Sequence, residues 1–211
     1  LDIIENTQTI LTGRKPDKIL KDKIIFFSEI IGSNATLFSF GGLTDFGNSY
    51  GRISASNLTS DKIAELAERL YGFSLSIEQI RVLTEIQNIS GNLCAAFDIV
   101  EKPPKIGVFC LNVKYGDTDY AAVLNKIFGY LSENKLCSLP KKNNSLSWTD
   151  KIKCAIDNDF IDEKILFLAQ IGKFDLQLFV NKFVHQIKIE FYNNGDIKAK
   201  GYYGFRLFFG Q

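Results

Sequence analysis

The sequence has no methionine and only one histidine among its 211 residues, and its four cysteines are widely spaced. The cysteines form no Cys-x-x-Cys pair and do not cluster with His185, so the spacing of a zinc site is missing. No serine or cysteine motif lies near His185, which argues against a catalytic triad. We interpret the cysteines as reduced thiols of a cytoplasmic protein.

Long apolar runs are also missing, because no segment reaches the roughly 18 apolar residues of a membrane span. The first residues, LDIIENTQTILTGRKP, have early acidic residues and no small-residue cleavage site, so we expect no signal peptide. Lys and Arg total 25 against 24 Asp and Glu, a net charge of +1. This balance favours neither nucleic acid nor membrane as a partner. We also expect the protein to be a monomer.

Helical segments alternate with pairs of strand-like segments along the chain. The apolar periodicity predicts helices over residues 17–31, 61–72, 76–89, 118–134 and near 148–156. Alternating patterns predict strands over residues 35–42, 49–56, 93–100, 105–115, 173–180, 186–193 and 196–210. The turn Asn193–Asp196 joins the last two strands into a hairpin. The polar stretch 138–147 is predicted to be a loop.

The order of these segments predicts an α+β protein of one domain, residues 1–211. Helices separate pairs of antiparallel strands, instead of following each strand as in a doubly wound parallel sheet. Helices covering one face would leave the other face of the sheet polar. Such a sheet can stay open or can curl into a barrel.

Polar and phenolic side chains recur on one face of several predicted strands. In strand 105–115 the alternation places Phe109 with Leu111 and Val113, and Cys110 with Asn112 and Lys114. Two interpretations stay open: the polar face meets solvent on a two-layer sandwich, or it lines a closed barrel that holds a ligand. The face is predicted to carry Tyr50, Arg52, Asp98, Asn112, Lys114, Asp175, Gln177, Lys188, Glu190 and Tyr192.

Three stretches, AAFDIV, VFCLNVKYGDTDYAAVLNKIF and QIGKFDLQLFVNKFVHQIKIEF, together with the repeated helix–strand–strand–helix units, resemble the ABBA-fold prenyltransferases. The similarity is to the cyanobactin-type peptide prenyltransferase branch. It implies that the strands close into an ABBA-type (αββα) barrel with helices outside and a polar, aromatic lumen. It also implies transfer of a dimethylallyl or geranyl group from its diphosphate to an aromatic or peptide acceptor.

The resemblance implies roles for particular residues. The basic residues that would bind the diphosphate are Arg52, Lys114, Lys188, Lys200 (or Lys198) and Arg206. The tyrosines that would shield the prenyl chain are Tyr50, Tyr192 and Tyr202, with Tyr203 as a further candidate. The family's acidic residue on the first inner strand is absent from NATLFSF, and Asp98 or Glu190 would replace it as the proton acceptor.

The same resemblance implies that a metal ion, where one takes part, is bound by the substrate and not by the protein. No carboxylate cluster of the DDxxD type is present, so Mg²⁺ would be carried by the diphosphate and not by the protein. The chain is also shorter than a full family barrel. Two alternatives therefore stay open, a non-catalytic α+β domain that binds a small ligand and a protein-interaction domain.

Overall fold

The structure is a computed structural model. It describes residues 18–31, 36–45, 48–99, 105–111, 113, 116–154 and 177–210, together with the single residues 6, 9, 10, 13, 15, 167 and 171. The helices in these ranges are α1 (Lys18–Ile31), α2 (Ser60–Tyr71), α3 (Ile77–Ser90), α4 (Tyr120–Glu133) and α5 (Leu139–Ser147). The strands are β1 (Thr36–Asp45), β2 (Asn48–Leu58), β3 (Leu93–Ile99), β4 (Lys105–Phe109), β5 (Asp150–Cys154), β6 (Gln177–Tyr192) and β7 (Ile197–Gly210).

Local sequence explains the sharpest helix boundaries. The Thr59 hydroxyl accepts a hydrogen bond from the backbone N–H of Lys62 and caps α2. Gly72 ends the same helix with φ +63°, a left-handed conformation that glycine adopts without strain. Helix α3 begins with a capping box in which Ser76 and Gln79 satisfy each other's backbone N–H groups.

The seven strands form one antiparallel sheet in the order β1-β2-β3-β4-β6-β5, with β7 also paired to β6. Strand β6 is long enough for three partners. Its residues 188–192 pair with β4 and its residues 178–182 pair with β5. Strand β7 pairs with β6 over nearly its whole length, so β6 organises this end of the sheet.

The described helices pack on one face of the sheet, where an apolar cluster forms the core. Helix side chains such as Phe27, Leu66 and Ile127 belong to this cluster together with sheet residues such as Phe97 and Ile189. Because side chains alternate along a strand, the neighbours of these core residues lie on the opposite face. That opposite face, which we call the polar face, carries the candidate site.

The prediction of a closed ABBA-type barrel is wrong. The structure is α+β with an open antiparallel sheet. Among the described strands, β1 pairs only with β2 and β7 pairs only with β6, so the two ends of the sheet do not meet. Closure requires the first and last strands to pair and every strand to tilt accordingly, which the local pattern of one strand does not encode.

Three local predictions are also corrected. The predicted loop 138–147 is helix α5, because Ser138 caps it and Pro140 occupies its first turn, where proline is tolerated. The predicted helix near 148–156 is strand β5. The strands predicted at 173–180 and 186–193 are continuous as β6 from residue 177 onward, and residues 173–176 lie outside the described residues.

The hairpin prediction at Asn193–Asp196 is confirmed, because Gly195 in this turn has φ +90° and β6 pairs with β7 on either side of it. Within the described residues, no helix combines the length and the apolar composition that crossing a bilayer requires.

Candidate functional site

The polar face brings charged residues from three strands side by side. In the register of the sheet, Glu190 of β6 lies between Gly107 of β4 and Lys198 of β7. In the neighbouring row, Lys188 lies between Phe109 and Lys200. Residues that face each other across antiparallel strands are close enough for their side chains to interact.

Glu190 is the centre of this arrangement, with only 1% of its surface exposed. Its Oε1 atom lies 2.7 Å from Lys105 Nζ and 3.5 Å from Lys188 Nζ. Its Oε2 atom lies 2.9 Å from Lys200 Nζ and accepts a hydrogen bond from the Tyr192 hydroxyl at 3.1 Å. We call Lys105, Lys188, Lys200 and Glu190 the lysine cluster.

The lysine cluster shifts the pKa values of its members. Burial alone would raise the pKa of Glu190, but the hydrogen bonds from Lys105, Lys200 and Tyr192 outweigh it and lower the pKa to about 2. Burial lowers the pKa of Lys188, and the charges of Arg52 and Lys105 act in the same direction against the attraction of Glu190. The hydrogen bond to Glu190 raises the pKa of Lys200. One carboxylate therefore faces three ammonium groups.

Glycine at position 107 makes room for the buried lysine. A Cβ atom at Gly107 would overlap Cε of Lys188 and would lie 2.7 Å from its Nζ. The Lys188 side chain thus crosses the backbone of β4 and extends toward Glu190, with Nζ 5.5 Å from the centre of the Phe109 ring. The absence of a side chain at Gly107 is what allows Lys188 into the cluster.

Beside the lysine cluster, Arg52 of β2 and Asp98 of β3 form a cross-strand ion pair. The guanidinium donates twice, from Nε to Oδ1 at 2.5 Å and from Nη2 to Oδ2 at 3.0 Å. The two residues face each other in register, and 35% of the Arg52 side chain and 19% of the Asp98 side chain are exposed. Such a two-point contact holds the guanidinium in a defined orientation.

An aromatic ring completes the site. Two ammonium groups lie near the Tyr192 ring. Lys105 Nζ is 5.6 Å from the centre of the ring, and Lys198 Nζ is 4.9 Å from it. Both distances are within the range of cation–π attraction. Together these side chains bring five cations (Arg52, Lys105, Lys188, Lys198 and Lys200) and two carboxylates (Asp98 and Glu190) to this part of the polar face.

The structure brings together most, but not all, of the predicted site residues. The residues that meet on the polar face are Arg52, Asp98, Lys188, Glu190, Tyr192 and Lys200. Arg206 faces Asn181 and lies six residues beyond Lys200 on β7. At the rise of a strand, Arg206 is therefore roughly 20 Å from Lys200. Tyr202 lies two residues beyond Lys200 on the same strand, near enough for its phenol to contribute to the raised pKa of Lys200, and it also lines a groove beside β7. Lys114 and the side chain of Tyr50 lie outside the described residues.

Two residues of the site, Lys105 and Gly107, were missed by the sequence analysis. The predicted faces of strand 105–115 placed Phe109 on the apolar side, whereas Phe109 faces Lys188 and the buried thiol of Cys110 belongs to the core. Strand β4 ends at Phe109, so the alternation of residues 110–115 does not predict which residues of β4 share a face. The shorter alternation of Ile106 and Val108 identifies the core side, and with it Lys105 and Gly107 on the polar side.

The donor set does not suit a metal ion held by the protein. Among the described residues, no group of three or more His, Cys, Asp or Glu side chains could coordinate one. The two carboxylates of the site, Asp98 and Glu190, are already paired with Arg52 and with lysines. Mg²⁺ prefers several carboxylate and water oxygens, which these paired groups do not offer.

No protein-family model matches the chain, and neither a curated protein nor a solved structure does. The resemblance to the ABBA-fold prenyltransferases therefore stays a prediction, carried by the quoted stretches and the residues that they contain.

Proposed function

We propose that the polar face binds a phosphorylated ligand at the lysine cluster, and that the ligand is the diphosphate of an allylic donor used for prenyl transfer. The observation that supports this proposal is the excess of cations around Glu190. Three ammonium groups share one carboxylate, and Arg52 stands beside them. A diphosphate supplies the negative charge and the acceptor oxygens that such a group of donors can bind.

A ligand can reach these donors from outside. Lys105 keeps 27% of its side chain exposed and Lys200 keeps 48%, while Glu190 and Lys188 lie beneath them. Glu190 therefore acts as the anchor that holds the lysine stems in place, and the outer ammonium groups meet the ligand. Positioned charges of this kind stabilise negative charge without having to reorganise.

In the proposed reaction the bond between the allylic carbon and the diphosphate oxygen breaks, and its electron pair leaves with the diphosphate. The acceptor ring supplies the electron pair of the new carbon–carbon bond and then loses a proton. Lysines that neutralise the departing diphosphate lower the barrier to the first step. The Tyr192 ring beside the cluster offers a π face to the allylic cation.

Of the two carboxylates, Glu190 suits the anchoring role better than proton removal. A group with a pKa of about 2 accepts a proton weakly near neutral pH. In this proposal Asp98 or water takes the proton of the acceptor. Any Mg²⁺ arrives on the diphosphate, and no step depends on a metal held by the protein.

We propose that the protein is cytoplasmic. The thiols of Cys94, Cys110 and Cys137 are free, which suits a reducing compartment. Allylic diphosphates are charged metabolites, and a site for them requires no membrane contact.

The first experiment measures binding of inorganic pyrophosphate by isothermal titration calorimetry. Lys105→Met and Lys200→Met should each weaken binding about tenfold, because each removes one charged hydrogen-bond donor. Lys126→Met, which removes an exposed lysine of α4, is the matched control and should bind as the wild type does. No binding by the wild type, or equal losses in all three variants, would refute the anion site.

The second experiment separates catalysis from binding. The protein is incubated with dimethylallyl or geranyl diphosphate and tyrosine, tryptophan or cyclic-peptide acceptors, with and without Mg²⁺, and products heavier by one prenyl unit are sought by mass spectrometry. Pyrophosphate binding without any product would refute prenyl transfer and would favour the non-catalytic ligand-binding domain. That second candidate draws support from the open sheet, which does not by itself shield a carbocation from water.

A further inference from the structure

A groove lies on the helix side of the sheet, on the face opposite the ammonium groups of the lysine cluster. It has a volume of about 840 Å³ and runs between β7, the end of α4 and helix α5. Buried Phe128, Leu131 and Ile187 form its floor. Sites for small molecules commonly have volumes of about 300–1,000 Å³ and apolar linings with a few polar groups.

Aromatic side chains form one wall of this groove and hold each other in place. The Trp148 and Tyr203 rings meet edge to face with centres 5.7 Å apart. The hydroxyl of Tyr203 is hydrogen-bonded to the buried Ser145 hydroxyl at 2.5 Å, which ties the wall to α5. A wall fixed by these contacts forms a shaped surface before any ligand arrives.

The charge of the groove has one sign. Lys135, Lys141 and Lys200 are among its lining residues, and no aspartate or glutamate is among the lining residues that the structure describes. The ammonium group of Lys200 is bonded to Glu190 on the other face of the sheet. Lys135 and Lys141 therefore give the groove its positive charge, above an apolar floor.

We propose that this groove binds a single-chain amphipathic anion, with its apolar tail on the Phe128–Leu131 floor and its carboxylate or phosphate head at Lys135 and Lys141. The apolar floor alone would accept any hydrophobic chain, and the lysines select those with an anionic head. This site does not depend on the anion site proposed at Glu190, since its head-group lysines are different residues.

Trp148 is the only tryptophan of the chain, so its fluorescence reports on the groove directly. The probes are octanoate, decanoate and dodecanoate, dodecyl phosphate, and dodecanol as the uncharged analogue, all below their aggregation concentrations. We expect saturable one-site changes in emission, with affinity rising roughly tenfold for each added pair of methylene groups. Dodecanoate and dodecyl phosphate should bind at least tenfold more tightly than dodecanol; which of the two binds better identifies the preferred head group.

Paired variants of neighbouring α5 residues test the location. Lys141→Met should weaken binding of dodecanoate about tenfold and leave dodecanol unchanged, whereas Lys142→Met, at a residue that does not line the groove, should change neither. Asn144→Phe should block the groove, and Asn143→Phe should not. Thermal unfolding followed by circular dichroism checks that each variant is folded.

Several outcomes would overturn this proposal. The first is the absence of a saturable change in Trp148 emission, and the second is equal affinity for dodecanoate and dodecanol. Equal effects of Asn143→Phe and Asn144→Phe would place binding elsewhere. If the protein is a dimer in sedimentation velocity and Asn144→Phe dissociates it, the occupant of the groove is a second copy of the chain. If a polyglutamate peptide binds saturably and dodecanoate does not, the occupant is an acidic peptide.

Discussion

The side chain of Lys188 lies across Gly107 on the neighbouring strand, in space that a Cβ atom would occupy. Gly107 and Glu190 face each other in register, so the lysine reaches the carboxylate by passing over the one position without a side chain. This relationship links a backbone feature of β4 to the charge of the proposed anion site. It makes Gly107 a positioning residue for Lys188.

Gly107→Ala should displace Lys188 and weaken pyrophosphate binding about tenfold while leaving the protein folded. The atoms that would overlap are the far end of a flexible side chain, which can move away at little cost. Calorimetric titration with pyrophosphate and thermal unfolding measure the two effects. Gly129→Ala in α4 is the control, because a Cβ there has nothing within 4 Å and alanine favours a helix. Unchanged pyrophosphate affinity in Gly107→Ala would contradict the role of Lys188.

Glu190 should make the stability of the protein depend on acid pH. Its folded pKa of about 2 is below its ordinary value of 4.5. The stabilisation is therefore complete above pH 4.5 and is lost as the pH falls toward 2. At about 1.4 kcal/mol per pKa unit, this lowering corresponds to roughly 3 kcal/mol of unfolding free energy.

Urea unfolding between pH 7 and pH 2 measures this contribution. Glu190→Gln should be less stable than the wild type at pH 7 and should lose less stability on acidification, because the titrating group is gone. Glu133→Gln, an exposed glutamate at the end of α4, should keep the wild-type pH dependence. Parallel pH curves for the wild type and Glu190→Gln would show that Glu190 is not held ionised by its lysines.

The Arg52–Asp98 pair should contribute a coupling energy of about 1 kcal/mol to stability. The contact is bidentate and partly buried, which places it near the upper end of values for accessible ion pairs. A double-mutant cycle with Arg52→Ala, Asp98→Ala and the double variant isolates this energy by urea unfolding. Additive effects of the two single substitutions would mean that the pair does not stabilise the fold.

Gln79 should be important for stability although it lies away from the site. Its buried amide donates to the backbone carbonyls of Tyr192 at 2.8 Å and Asp196 at 3.1 Å, and so joins α3 to the β6–β7 hairpin. Gln79→Ala should lower the free energy of unfolding by about 2 kcal/mol, because these acceptors lose their buried donor. Gln79→Glu should be worse, since a carboxylate would face two carbonyl oxygens. Both are measured by urea unfolding, and wild-type stability in either variant would contradict this role.

The predictions that succeeded rest on short-range patterns. Ile63, Leu66, Ala67 and Leu70 recur at helical spacing and are all buried in α2. The hairpin turn at Asn193–Asp196 carries its own glycine. The loop prediction for 138–147 is wrong because its lysines, asparagines and serines are typical of loops, whereas Ser138 and Pro140 in fact form the start of a helix.

The site was only partly predictable for a related reason. Alternation in β6 correctly put Lys188, Glu190 and Tyr192 on one face. In β4 the alternation does not identify the faces over 105–115, because the strand is five residues long and ends at Phe109. Lys105 was therefore missed, although its ammonium group is 2.7 Å from Glu190.

By itself, the sequence determined the alternation of helices with antiparallel strand pairs and the polar side of β6, because backbone geometry repeats every 3.6 residues in a helix and every two in a strand. Only the tertiary structure decided that the sheet is open and that Lys105 reaches Glu190, a residue 85 positions further along the chain. The physical reason is that strand order, register and closure depend on contacts between distant segments. No local period records which of those segments become neighbours.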